Sequence, residues 1–189
     1  MLKFLKQSLK SPGSIGAICP SSRALAEIMV SPVNFAHAST IIEVGPGTGA
    51  ITDVILERLL PQNRYIGIEL NKKFHHMLTM QYKTLDFVNG NAQDMQHILT
   101  TLNIEAVDAV VCSLPWASFD VKQQLRMVNA IRRCMKPGSV FITFAYLQGM
   151  ALPGAWMLRN ILKTRFASVE KTKTVWNNVP PAFAYVCYR

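Results

Sequence analysis

Apolar residues cluster in short runs, and stretches of helical period lie between the runs. Thr40 to Val44, Tyr65 to Ile68, Phe87 to Asn89, Val107 to Cys112 and Val140 to Ala145 each read as a strand. Val107 to Cys112 is continuously apolar after Asp108, as a strand covered on both faces should be. Amphipathic stretches predict helices over about Thr48 to Leu60, stopped by Pro61, then Lys72 to Gln81, Asp94 to Leu102 and Asp120 to Met135. Lys136-Pro137-Gly138 is predicted as a turn. Upstream, Ser21 or Ser22 can cap a helix over Arg23 to Val30. Downstream come a helix from Ala155 to Lys163 and an antiparallel pair, Phe166 to Thr172 with Ala182 to Tyr188. Strands alternating with helices predict an α/β domain with a seven-stranded, mostly parallel sheet and helices on both faces.

The first ten residues follow a different pattern. Leu2, Leu5 and Leu9 share a helical face with Phe4 beside them, and Lys3, Lys6 and Lys10 flank it. Ser11-Pro12-Gly13 ends this basic amphipathic helix. It suits a membrane interface or packing on the domain equally well.

The chain has 189 residues, enough for one domain with one sizeable core and little left for a second. Half the residues are hydrophobic and 16% are charged, yet no run approaches the ~18 apolar residues of a spanning helix. Met1 to Lys10 does not read as a signal peptide, so the expected location is the cytoplasm. Lys and Arg number 20 against 11 Asp and Glu, a net charge of +9. That excess predicts an anionic partner, nucleic acid or an anionic membrane, and the apolar composition favours the membrane. Cys19, Cys112, Cys134 and Cys187 are far apart and read as buried, reduced thiols. His37, His75, His76 and His97 read as surface or helix residues, and no metal site is expected.

The densest signal is Ile41-Ile42-Glu43-Val44-Gly45-Pro46-Gly47-Thr48-Gly49-Ala50. A strand runs into a turn with glycine at every second position, and a helix opens after it. Glycines let backbone approach a ligand where a Cβ would block it. The turn alone does not name the ligand, because Gly45, Gly47 and Ala50 also satisfy the dinucleotide fingerprint. Glu43 argues against a pyrophosphate, which gains nothing from a neighbouring anion. Its carboxylate could receive an ammonium or hydroxyl group instead.

Glu43-x-Gly45-x-Gly47-x-Gly49 resembles motif I of the class I S-adenosylmethionine (SAM) methyltransferases. The resemblance implies the Rossmann-like class I fold, SAM as cofactor and S-adenosylhomocysteine as product. It implies that Gly45, Gly47, Thr48 and Gly49 lie against the methionine part of SAM, with Glu43 on its amino group. Glu69 then ends strand two, where a carboxylate accepts from two ribose hydroxyls. The alternative for Glu69 is an acid complementing a helix N-terminus. Asn91-Ala92-Gln93-Asp94 ends strand three. By resemblance, Asp94 accepts from the adenine amino group and the Ala92-Gln93 backbone reads the ring edge. The alternative is Asp94 as a plain helix cap. Leu70 or Met95 would pack on the adenine, although Met95 suits the core as well. Ser113-Leu114-Pro115-Trp116 stands at motif IV, where a proline-held turn aims carbonyls at the nitrogen being methylated. Trp116 could face a base or a cationic head group, or belong to the core. Asp120 and Tyr146, just past strands four and five, are the candidates for a base.

Ser11-Pro12-Gly13-Ser14-Ile15-Gly16-Ala17-Ile18-Cys19-Pro20-Ser21-Ser22 resembles the entry segment of bacterial phospholipid N-methyltransferases. That resemblance implies methylation of phosphatidylethanolamine and its methylated intermediates, or of an ornithine lipid. It implies an entry unit over residues 1–38 that caps the site and a SAM-binding core over 39–189. Ser21 or Ser22 would contact the carboxylate end of SAM. The protein would sit peripherally on the inner face of the cytoplasmic membrane, with the basic N-terminal helix on anionic lipid. Trp156 to Phe166 is a second amphipathic candidate, whereas Arg126, Arg132 and Arg133 read as a solvated face. The rival is an rRNA adenine N6-methyltransferase. Against it, the Gln-Asn-Phe run of those enzymes is missing, and the sequence stops at Arg189 where they carry a further helical domain. Nucleic acid is therefore the weaker expectation, and a small-molecule methyltransferase stays open.

Overall fold

The computed structural model describes residues 20–189. The basic N-terminal helix and the entry segment through Cys19 lie outside the described residues. Element order is α1 (Arg23–Val30), β1 (Thr40–Val44), α2 (Ala50–Leu56), β2 (Arg64–Glu69), α3 (Lys72–Gln81), β3 (Asp86–Asn89) and α4 (Met95–Thr101). Then follow β4 (Val107–Cys112), α5 (Val121–Cys134), β5 (Met135–Tyr146), α6 (Pro153–Arg165), β6 (Ser168–Lys171) and β7 (Ala182–Tyr188). All seven strands form one sheet in the order β3-β2-β1-β4-β5-β7-β6. β7 runs antiparallel to both its neighbours, and the remaining pairings are parallel.

Successive strand side chains alternate between faces, so each buried strand feeds two cores. Ile42, Ile66, Val110, Phe141 and Phe183 meet Leu99, Val128, Ile131, Leu158 and Leu162 of α4, α5 and α6. Ile41, Ala109, Ile142 and Val186 meet Leu25, Met29, Ile51 and Ile55 of α1 and α2. The order reverses between β1 and β4, which opens a crevice at the carboxyl ends of those strands.

Two expected boundaries move. α2 spans Ala50–Leu56 and not Thr48 to Leu60. Gly49 has φ +87°, a left-handed conformation that delays the helix start. At the other end the Asn63 carboxamide takes over, accepting from Leu60 N at 2.7 Å and donating to Phe35 O at 2.8 Å. The second change is at Lys136-Pro137-Gly138, which belongs to β5 and does not form a turn before it. The pairing jumps from Val107↔Met135 to Ala109↔Val140, so residues 136–139 form a bulge. Gly138 N donates to Arg189 O at 2.8 Å, and Arg189 N donates to Ser139 O at 3.0 Å. Lys136 Nζ reaches Asp108 Oδ1 at 2.7 Å, while Asp108 Oδ2 accepts from Ser39 N and Thr40 N.

Phe141 sits at the centre of the sheet, fully buried and stacked on Phe166 with ring centroids 5.5 Å apart. Phe141→Ala is expected to lower unfolding free energy by about 3–5 kcal/mol. Urea titration of the two proteins reads this directly. A loss under about 1 kcal/mol would mean that the sheet collapses around the gap.

Candidate active site at the carboxyl edge of the sheet

The turn after β1 is stapled from both sides. Gly45 N donates to Ile68 O of β2 at 2.9 Å, and Ser113 N donates to Val44 O at 2.8 Å. Leu114 packs against Gly45. Gly49 and Gly47 answer to different constraints. A Cβ at Gly49 would fall 2.3 Å from the Tyr82 hydroxyl, so the protein itself excludes it. That hydroxyl lies 2.6 Å from Asp53 Oδ1 and 3.1 Å from Gly49 O. At Gly47, φ is +60°, and a Cβ would have Gly45 O at 3.9 Å as its nearest neighbour. Space is therefore kept open above Gly47, as a close-lying ligand would need.

Glu43 lies beneath this turn and is fully buried. Its Oε2 accepts from Thr52 Oγ1 at 2.8 Å and from the Tyr65 hydroxyl at 2.6 Å. Oε1 has no hydrogen-bond partner. Burial pushes the carboxyl up to about 7, against the pull of the Tyr65 and Thr52 hydrogen bonds. The Ser113 hydroxyl at the end of β4 is also buried without a partner.

Glu69 joins the turn to the end of β2. Oε2 accepts from Gly47 N at 3.0 Å, and Oε1 accepts from Asn71 N at 2.8 Å. Asn71, not Glu69, caps α3, accepting from Lys73 N and Phe74 N. Asn89 on β3 donates to Glu69 O and Leu70 O, fixing the strand end. Leu70 is 66% exposed, an unusual position for a leucine at the mouth of a site. Asn91 Oδ1 accepts from Gln93 N at 3.0 Å, which shapes the short turn containing Ala92. Asp94 stands at the start of α4 but makes no capping hydrogen bond, so the plain-cap alternative is not what its carboxylate does. Met95 is fully buried in the core, the alternative left open for it.

For Trp116 the structure favours the core alternative over an exposed ring. The ring is 4% exposed, packs edge-on to Phe119 and donates from Nε1 to Thr143 Oγ1 at 2.6 Å. A buried indole N–H requires a partner, and β5 supplies it. Trp116 is thus a core residue that holds the turn from below. The carbonyls of that turn are engaged as well. Leu114 O accepts from Trp116 N, Pro115 O from Ser118 N, and Trp116 O from Gln124 Nε2. Asp120 is exposed and caps α5 in a reciprocal box with Gln123. Tyr146 ends β5, half-buried and edge-on to Phe144. Ser22 caps α1 by accepting from Leu25 N, and its own N–H donates to Asn178 Oδ1 at 2.8 Å. Tyr65, Thr52, Tyr82, Asn89 and Asn178 escaped the sequence reading. Their partners across the fold lie nine or more residues away, and no local pattern marks those contacts.

Comparison with known proteins gives the family. The family described as "Methyltransferase domain" matches residues 42–143, which run from β1 to the middle of β5. The chain belongs to this methyltransferase family. It is a SAM-dependent methyltransferase of the Rossmann-like class I fold. An O-methyltransferase from Bacillus cereus, solved in complex with S-adenosylhomocysteine, superposes with a TM-score of 0.72. That match has 14% identity and covers 99% of this chain and 91% of that one. An ornithine lipid N-methyltransferase of Singulisphaera acidiphila is 29% identical over 187 residues, 97% of this chain and 93% of that protein. A ribosomal RNA small subunit methyltransferase A of Anaplasma marginale is 27% identical over 173 residues, 88% of this chain but 60% of that protein. Among the described residues no cluster of His, Cys, Asp and Glu could hold a metal ion. No described helix is long and apolar enough to cross a membrane.

The methyltransferase's buried Glu43 carries a pH signature. The folded chain keeps the proton to about pH 7, whereas an unfolded chain releases it near 4.5. Between those values the folded state binds the extra proton, so this contribution to stability falls as pH rises and levels off above 7. The integrated loss is about 3 kcal/mol. Glu43→Gln should flatten this decline, read as urea midpoints of the two proteins from pH 4.5 to 8. Parallel pH profiles for wild type and E43Q would remove Glu43 as the source.

Proposed function

We propose that this enzyme methylates the amine of a membrane-lipid head group, either phosphatidylethanolamine with its methylated intermediates or an ornithine lipid. SAM is the methyl donor and S-adenosylhomocysteine the product. One observation carries the reading: likeness to the Singulisphaera ornithine lipid N-methyltransferase runs along nearly the whole of both chains.

In this reading the open face at Gly47 receives the methionine part of SAM, beside Gly45, Thr48 and Gly49. The Glu43 Oε1 and Ser113 Oγ atoms, both buried without partners, supply polar contacts to its amino end. Glu69 keeps lone pairs beyond its bonds to Gly47 N and Asn71 N, enough to accept from the ribose hydroxyls. Asp94 takes the adenine amino group, the Ala92-Gln93 backbone the ring edge, and exposed Leu70 covers the ring. Ser21 or Ser22 contacts the carboxylate end, and Leu114 backs the turn.

Bound SAM supplies a sulfonium methyl that is already electrophilic. The protein contributes mainly orientation of the amine for in-line attack. A primary alkyl amine has a pKa of about 10, so it must shed a proton first. Tyr146 and Asp120 are the two candidates for the group beside the amine, and the Asp120 carboxylate also caps α5. Trp116 is assigned to support of the turn. The lysine-flanked helix at Leu2, Leu5 and Leu9 is proposed as one anchor on anionic membrane.

A second reading, methylation of an rRNA adenine, draws on the similarity to the Anaplasma enzyme and on the basic charge. Methyl-labelled SAM given with phosphatidylethanolamine or ornithine-lipid liposomes, beside 16S ribosomal RNA, separates the two. Label in the lipid phase, increased by anionic lipid, is expected. Label confined to RNA would sink the lipid reading. Gly47→Ala should cost about 1 kcal/mol in stability through its left-handed φ yet weaken SAM binding at least tenfold, roughly 1.4 kcal/mol or more. Calorimetry with SAM checks that contrast.

A further inference from the structure

Net charge is divided very unevenly along the chain. Residues 121–189 hold eleven Lys and Arg and a single acid, Glu170. The preceding 120 residues hold nine basic and ten acidic residues. The whole positive excess therefore belongs to the half of the fold built from α5, β5, α6, β6 and β7. The cofactor half is close to neutral.

Large apolar side chains are exposed at one edge of that same half. Leu152 is 52% exposed and Trp156 62%, at the start of α6. Trp176 is 71% and Val179 73% exposed, in the connection between β6 and β7. Both segments stand at the carboxyl edge of the sheet. Tyr146, the last residue of β5, pairs with Ala182, the first of β7. One residue further out, Leu147 N donates to Pro181 O at 2.8 Å and ties the two segments together.

The segments are rigidly backed. Val175 bridges Ala182, and buried Asn178 donates to Pro180 O at 2.7 Å while accepting from Ser22 N. Trp176 and Val179 are thus held outward on a fixed frame. In α6 the inner face is Ala155, Leu158, Ile161 and Leu162, all buried. The outer face carries Trp156 at the edge, then Arg159 and Lys163, one and two turns further from it. Apolar tips with cations set back by about 5 Å per turn match the depth profile of an acyl boundary beneath anionic head groups. Aliphatic Leu152 and Val179 offer nothing to a nucleobase stack.

We propose that this carboxyl edge docks on an anionic lipid bilayer through Leu152, Trp156, Trp176 and Val179, with Arg159, Lys163 and Lys173 at head-group depth. The docking surface deepens the lipid-methylation reading and rests on it for its biological sense. It places the site face toward the bilayer without any contribution from the first nineteen residues.

The chain has three tryptophans, which makes the test direct. The full-length protein is mixed with phosphatidylcholine–phosphatidylglycerol vesicles carrying bromine on the acyl chains. Trp156→Ser, Trp176→Ser and the double variant report each residue in turn, and buried Trp116 is the internal reference. Bromine should quench Trp156 and Trp176 and spare Trp116. The double variant should lose vesicle partitioning on the order of tenfold while keeping its SAM affinity. No quenching, or unchanged partitioning of the double variant, overturns the proposal. So does protection of the same tryptophans by ribosomal RNA with no response to vesicles. Methyl transfer to phosphatidylethanolamine or ornithine lipid in detergent micelles keeps the two readings apart. Quenching without transfer to either would sink the lipid acceptor and leave the docking surface standing. Transfer in micelles without quenching would do the reverse.

Discussion

A carboxylate closed off from water ties together the three elements around the glycine turn. Glu43 on β1 accepts from Thr52 on α2 and from Tyr65 on β2, so three elements meet at one oxygen. Tyr65 then packs edge-on to Phe87 of β3, and the Phe87 ring fills the place where any side chain on Gly67 would stand. Burying an ionised group without a counter-charge is costly, so the carboxyl keeps its proton toward neutral pH. A cation arriving beside it would reverse that balance.

Much of this fold was legible because burial on both faces leaves a plain mark on sequence. Continuous apolar runs gave the strands, and the intervening periodicity gave the helices. The boundaries that moved were those decided by distant partners. The bulge at residues 136–139 depends on Val107 and on Arg189, the last residue, which no window around Lys136 contains. The site was legible as a motif and less so as geometry. Gly45 and Glu69 stand at strand ends, while Gly49 and Asp94 stand at the starts of the helices that follow β1 and β3. Trp116 shows the limit: its position was readable, but its burial follows from Thr143, 27 residues later.

The reversal of strand order between β1 and β4 also separates two regions of different character. On one side, short strands end in acids and amides that engage backbone: Glu69, Asn89 and Asn91. On the other, β5 and β7 form the longest antiparallel pairing of the sheet, in register from Val140↔Tyr188 to Tyr146↔Ala182. Such a pairing can carry exposed tryptophans and a large positive charge without disturbing the glycine turn, because the two regions share little beyond the central strands.

The bond from Ser22 N to Asn178 has a mechanical consequence. It fixes the point from which the preceding nineteen residues leave the described fold, and that point is the carboxyl edge rather than its opposite. Trp176 and Val179 stand in the same β6–β7 connection as Asn178, so Ser22 begins the described fold beside that exposed apolar edge. Under the proposed lipid docking, the lysine-rich first ten residues and this edge would act together as a bivalent binder. Once one has engaged, the second meets the same surface at an effective concentration of order millimolar, and the two affinities multiply instead of adding.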